Sequence, residues 1–148
     1  MRARDIAEEY PVVNLDADAL DAARLLVGHQ LPGIVVTDTS GRPHSVLPGS
    51  QVLGFMIPSY IQDDPSLARV YDEAHADRVA ARLAGRKVRE VLPSRPTELP
   101  AVDPDATVIE VAALMARLRC PLVAVVENER VSGVITTTHL LDLILPRP

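Results

Sequence analysis

Apolar residues along the chain fall alternately into short continuous runs and helically spaced stripes. Pro11-Val12-Val13-Asn14-Leu15 is a short apolar run that predicts a strand. Asp18 then stands as a helix cap with Asp21 three residues on, and Leu20, Ala23 and Val27 keep helical spacing until Gly28 and Pro32 close the helix. Gly33-Ile34-Val35-Val36-Thr37 is β-branched enough to predict a buried strand. A turn over Asp38–Arg42 leads to a strand that begins at Val46-Leu47. Pro48-Gly49-Ser50 then opens a helix over Gln51–Ile57, stopped near Pro58.

From Val88 the same order returns. Val88–Pro93 mirrors the opening of the chain, in which Ile6 and Ala7 predict a short docking turn, and Leu99–Val102 is an extended lead-in. Thr107 and Glu110 have capping-box spacing, and Ile109, Ala112, Ala113 and Ala116 continue the apolar face. Cys120-Pro121 ends that helix, Leu122–Val126 is a strand, Glu127–Arg130 a turn and Val131–Thr136 the return strand. A last helix covers about 137–145. Shifted by 89, Asp18 meets Thr107, Asp21 meets Glu110 and Pro32 meets Pro121; shifted by 88, Arg42 meets Arg130, Val46 meets Val134 and Pro58 meets Pro146. The one-residue change falls in a turn, where length varies freely. The chain reads as a tandem duplication: residues 1–60 a first repeat, 61–87 a linker helix and 88–148 a second repeat.

The linker differs in character. Asp64 is a cap with Pro65 in the first helical position, Leu67, Val70, Tyr71 and Ala74 form one stripe, and Ala76, Val79, Ala80 and Leu83 form another, with Gly85 closing. It reads either as a signalling arm or as a helix packed on the repeats.

Composition narrows the setting. Apolar residues make up 47% and aromatics only 3%, so the core is aliphatic and mixed α/β. A net charge of −5, with 14 Arg and one Lys spread along the chain, argues against nucleic acid or an anionic membrane as partner. Cys120 is the one cysteine and reads as a small buried group; with no apolar signal core and no apolar run of spanning length, a cytoplasmic location is the expectation.

Val102-Asp103-Pro104-Asp105-Ala106-Thr107-Val108, the strand after Pro121, and Gly133-Val134-Ile135-Thr136-Thr137-Thr138-His139-Leu140-Leu141 resemble a tandem pair of cystathionine-β-synthase (CBS) domains, a Bateman module. The resemblance implies an α/β (α+β) fold of two β-α-β-β-α repeats related by pseudo-twofold symmetry. It implies nucleotide clefts between the repeats, pairing of two modules into a disc, and a regulatory role without chemistry of its own. The expected ligand is an adenine nucleotide or S-adenosylmethionine; no cofactor is required. The expected partners are a second copy and a regulated enzyme or transporter.

In the second repeat the residues placed at the ligand are Ala101, Val102, Pro121, Leu122, Val123, Gly133, Thr136, Thr138 and His139; in the first they are Pro32, Gly33, Ile34, Ser50 and Gln51. The family's ribose-binding Asp is replaced by His139 and by Gln51, and neither matches a carboxylate that accepts two charge-assisted bonds. Ser45 and Pro48 depart further in the first repeat, so one weakly bound nucleotide is expected at the second. Thr136 either orients a phosphate or caps the helix. His139 either meets the ribose, as a pH-sensitive contact, or is a solvated first-turn residue. Catalysis has no support. His29, His44, His75 and His139 lack ligand spacing, and Gly28–Gly33 has phosphate-loop glycines but runs on into Ile34-Val35. Asp16, Asp18 and Asp21 belong to a helix start. The alternative is a dimer that binds no ligand and acts by protein contact.

Overall fold

Caps and β-branched runs place most elements where local chemistry puts them. The computed structural model describes residues 1–70 and 73–148, with the backbone alone for 73–76. The first half runs α1 (Ala3–Ile6), β1 (Val12–Asn14), α2 (Ala19–His29), β2 (Gly33–Thr37), β3 (Pro43–Pro48) and α3 (Gly49–Met56). Next come α4 (Ser59–Asp63), a 3-10 turn (Pro65–Val70) and α5 (Glu73–Ala81). The second half runs α6 (Val88–Val91), β4 (Thr97–Glu98), β5 (Ala101–Val102), α7 (Val108–Leu118), β6 (Leu122–Glu127), β7 (Arg130–Thr136) and α8 (Thr137–Ile144). The fold is mixed α/β with two sheets, ordered β1-β2-β3-β4 and β5-β6-β7.

The duplication holds at the level of single bonds. The Asp18 side chain caps α2 at the Asp21 amide, and the Thr107 hydroxyl caps α7 at the Glu110 amide. Both helices end on a non-glycine residue in the left-handed region, Gln30 and Arg119. The parallel pairs share one register, Val12 with Val35 and Ala101 with Ala124.

Two compact units emerge, neither contiguous in sequence. The first comprises Met1–Asn14, Val35–Val46 and Thr97–Pro148. Here α1 docks on the second repeat: the Ala3 amide donates to the Ala106 carbonyl (2.7 Å), Arg4 pairs with Asp105, and Glu8 and Val134 exchange backbone bonds of 2.9 and 3.0 Å. Side chains alternate across β6 and β7. Val123, Val125 and Ile135 pack with Ile6, Val111, Met115 and Leu140; Leu122, Ala124 and Val134 pack with Val35, Val46, Leu99 and Cys120.

The second unit comprises Leu15–Ile34 and Leu47–Pro96. In it α6 repeats the part of α1: the Val88 amide donates to Ala17 and the Arg89 amide to Leu15 (both 2.9 Å), while Arg89 pairs with Asp16 at 2.7 Å. Ala19, Ala22, Leu26, Val52, Leu83, Val88 and Val91 are buried.

Three expectations are corrected. Gly28 lies inside α2, which closes at Gln30. The faces marked by Leu20, Ala23 and Val27, and by Ile109, Ala113 and Ala116, are not the core faces, although Ala112 packs against the core. Ala19, Ala22 and Leu26 and, in α7, Val111 and Met115 point inward, while Val27 is 80% and Ile109 72% exposed. The linker is not one helix. The Asp64 carboxylate binds the Ser66 hydroxyl (2.6 Å) and amide (3.2 Å), a local bond that competes with helix propagation, and Leu67 and Val70 are exposed. Tyr71 of the predicted stripe lies outside the described residues, as do the side chains of Ala74 and Ala76.

Candidate functional site

The strand-to-helix turn of the second repeat is built from β7 running into α8. Thr136 is the cap of α8, its hydroxyl accepting from the His139 amide at 3.1 Å. The Thr137 amide donates to the Pro121 carbonyl (3.1 Å), which ties the turn to the start of β6. Leu122 and Val123 are fully buried on opposite faces of the sheet, so their side chains belong to the core. Val102 is half-buried, whereas Thr138, Pro121 and Ala101 are exposed.

Gly133 is buried beneath the N-terminal segment. A Cβ there would stand 2.9 Å from the Ala7 Cβ and 3.3 Å from the Glu8 carbonyl oxygen. Backbone approach, rather than left-handed geometry, is what demands glycine. His139 is half-buried, its side chain 31% exposed, and its Nδ1 lies 3.3 Å from Glu8 Oε1. Glu8 was invisible to sequence reasoning, because nothing local marks a residue 131 positions from its partner.

The matching turn of the first repeat is spent differently. Pro48 caps α3 without a side-chain bond, and Gln51 donates its amide to the Val91 carbonyl at 3.1 Å. Ser50 and Pro32 are exposed; Gly33 and Ile34 are buried.

Two concavities lie one in each unit. A cavity of about 590 Å³ in the first unit is lined by Pro43, His44, Glu98, Ala101, Arg117 and Cys120 among others; Ala101 alone of the predicted ligand residues reaches it. An apolar groove of about 640 Å³ in the second unit runs between α2 and α3, past Val27, Val52, Leu53 and Met56. Among the described residues no group of three or more His, Cys, Asp or Glu side chains is placed to hold a metal ion. No described helix is long and apolar enough to cross a membrane.

The clearest electrostatic perturbation lies away from the turns. The Asp38 carboxylate is held below its ordinary 3.8 by the Ser40 hydroxyl (2.7 Å), helped by the Arg42 and Ser40 amides. A carboxylate depressed in the folded state stabilises fully above its unfolded pKa, and that contribution is lost as pH falls through the lower folded value. Ser40→Ala should therefore move the Asp38 titration, followed by NMR, upward toward the ordinary value. An unmoved titration would show that the hydroxyl is not the cause.

The CBS-domain family model matches residues 88–146. A crystal structure of a CBS domain-containing protein of unknown function from Kribbella flavida shares 59% identity, covers 99% of each chain and superposes with a TM-score of 0.92. The chain belongs to the CBS-domain family. Its members are generally regulatory. Two more distant CBS structures share the fold. The CBS domain of a membrane protein from Sphaerobacter thermophilus is 24% identical over 99% of this chain and 90% of its own, with a TM-score of 0.73. The structure of CBSX2 in complex with AMP is 17% identical over 96% and 94%, with a TM-score of 0.66. No curated protein matches the chain significantly. The tandem CBS reading of the sequence stands, both repeats included.

Proposed function

We propose that this CBS-domain chain is a non-catalytic regulatory module of the cytoplasm that binds an adenosyl nucleotide weakly at the second repeat. Two such modules pair, and the pair acts on an enzyme or transporter. The contrast between the two turns carries the reading. His139 is half-buried beside a carboxylate, while its counterpart Gln51 is held by the Val91 carbonyl. The Thr136-capped start of α8 adds the partial positive charge that suits a phosphate. An AMP complex of a protein with the same fold supports the ligand class. We divide the chain as 1–60, 61–87 and 88–148, and we place the ligand at the residues named above.

A thermal-shift panel with AMP, ADP, ATP and S-adenosylmethionine tests the reading. A specific ligand at a hundred times its dissociation constant should add ~2.7 kcal/mol of stability. His139→Asp should tighten AMP binding about tenfold, since a carboxylate accepts two charge-assisted bonds. Unchanged affinity by calorimetry would refute that role for position 139. The apolar groove along α2 and α3 favours a second reading, action by protein contact alone. A flat response to all four ligands from a stable dimer would select it.

A further inference from the structure

We propose that the end of the linker is a releasable plug in the apolar groove of the second unit, an internal competitor for a protein that docks there; this rests on the second reading above, action by protein contact. The groove has α2 and α3 for walls, and the two lining residues that come from neither are Ala80 of α5 and Leu83 just after it. Two bonds place them at one end. The Ala19 amide, at the start of α2, donates to the Arg86 carbonyl at 2.8 Å. The Arg82 guanidinium donates to the carbonyl of Met56, the last residue of α3, at 3.2 Å. Leu83 is 3% exposed there, whereas Val27, toward the other end of α2, lies open to solvent.

The plug supports itself poorly. α5 has nine residues, too few for a helix to hold alone in water. Beyond it the amides of Arg82, Leu83 and Ala84 reach back only three residues, before Gly85 turns left-handed. Leu83 is the one buried residue from Asp77 to Arg86, so it seats the segment. The other fastenings face solvent: the Arg82 bond, and the Arg86 guanidinium 6.0 Å from the Phe55 ring. The anchors on either side are independent of it. Upstream, Ile61 is buried and the Gln62 side-chain amide donates to the Gly54 and Ile57 carbonyls at 3.0 and 2.7 Å. Downstream, Val88 and Val91 are buried and Gln51 holds the Val91 carbonyl. The plug therefore lifts by a local opening, with α2, α3, α4 and α6 still packed, and its two tethers return it. A partner that takes the seat must match what lies in it: an aliphatic side chain of leucine size for the end of the groove, and beside it an arginine for the Met56 carbonyl.

The test uses the full chain. Hydrogen exchange read by mass spectrometry should show the Asp77–Ala84 amides opening about tenfold more often than those of α2 and α3. Leu83→Ala should raise exchange in that segment about tenfold further and leave α2 and α3 unchanged. Arg82→Ala, a solvent-facing change, should raise it about threefold in the same segment alone. In an NMR titration, a peptide of residues 77–87 should shift α2 and α3 signals of Leu83→Ala at concentrations about tenfold below those the wild type requires. Exchange raised equally in α2, α3 and the plug would make Leu83 ordinary core and overturn the proposal. So would wild-type protection of Asp77–Ala84 equal to that of α2. Equal titrations of the two chains, or none of the variant, overturn the competition for the seat. The exchange arm involves no partner, so the plug can fail while the protein-contact reading stands.

Discussion

Gly133→Val is expected to destabilise the protein by about 3 kcal/mol, the upper end of the usual cost of overpacking. Even the first added carbon meets the Ala7 Cβ at 2.9 Å and the Glu8 carbonyl oxygen at 3.3 Å. One is a methyl rooted on the backbone and the other is backbone itself, so neither swings aside like the end of a long side chain. Relief requires moving the N-terminal segment off β7. That move costs the two Glu8–Val134 bonds and exposes Ala3 and Ile6, which are now buried among Val111, Met115 and Ile135. Gly54→Ala supplies a control of opposite sign. A Cβ at Gly54 meets nothing within 4 Å inside α3, so alanine should stabilise by ~0.5–1 kcal/mol through helix propensity. Urea denaturation of both variants reads the pair. Wild-type stability in Gly133→Val would mean that the N-terminal segment does not press on β7.

The combined substitution Val27→Glu and Ile109→Glu is expected to weaken self-association at least a hundredfold while leaving the stability of the single chain nearly unchanged. Val27 and Ile109 are 80% and 72% exposed, so a carboxylate at either position in an isolated chain simply faces water. If those faces meet a second copy, two buried carboxylates per chain cost several kcal/mol together, and each 1.4 kcal/mol is a factor of ten in the dissociation constant. Other exposed apolar residues support an apolar partner: Leu53 lines the groove of the second unit with Val27, and Leu141 and Ile144 are exposed on α8 of the first. Sedimentation equilibrium on wild type and variant decides the matter, with circular dichroism to confirm that the variant folds. A monomeric wild type, or an undiminished dimer in the variant, would remove these faces from the interface.

The comparison of α2 and α7 with their sequence patterns explains where legibility stopped. Both helices are apolar on two sides, so periodicity located the helices but could not choose the inward stripe. Ala19, Ala22 and Leu26 went inward, and Leu20, Ala23 and Val27 stayed out to line the groove. At the turn of the second repeat the cap role of Thr136 was readable, because it depends on residues three apart. The partner of His139 was not.

By itself the sequence determined the elements whose causes are local: caps at Asp18 and Thr107, β-branched strands after Pro32 and Pro121, and the twofold repetition with its gap in a turn. Only the tertiary structure decided that α1 and Glu8 join the second repeat, that Thr97 pairs with Val46 of the first, and that a carboxylate therefore stands beside His139. The reason is physical. Caps and strand propensity act over three or four residues, whereas the pairing of distant strands is settled by which apolar surfaces exclude water together, and many pairings satisfy the same local pattern.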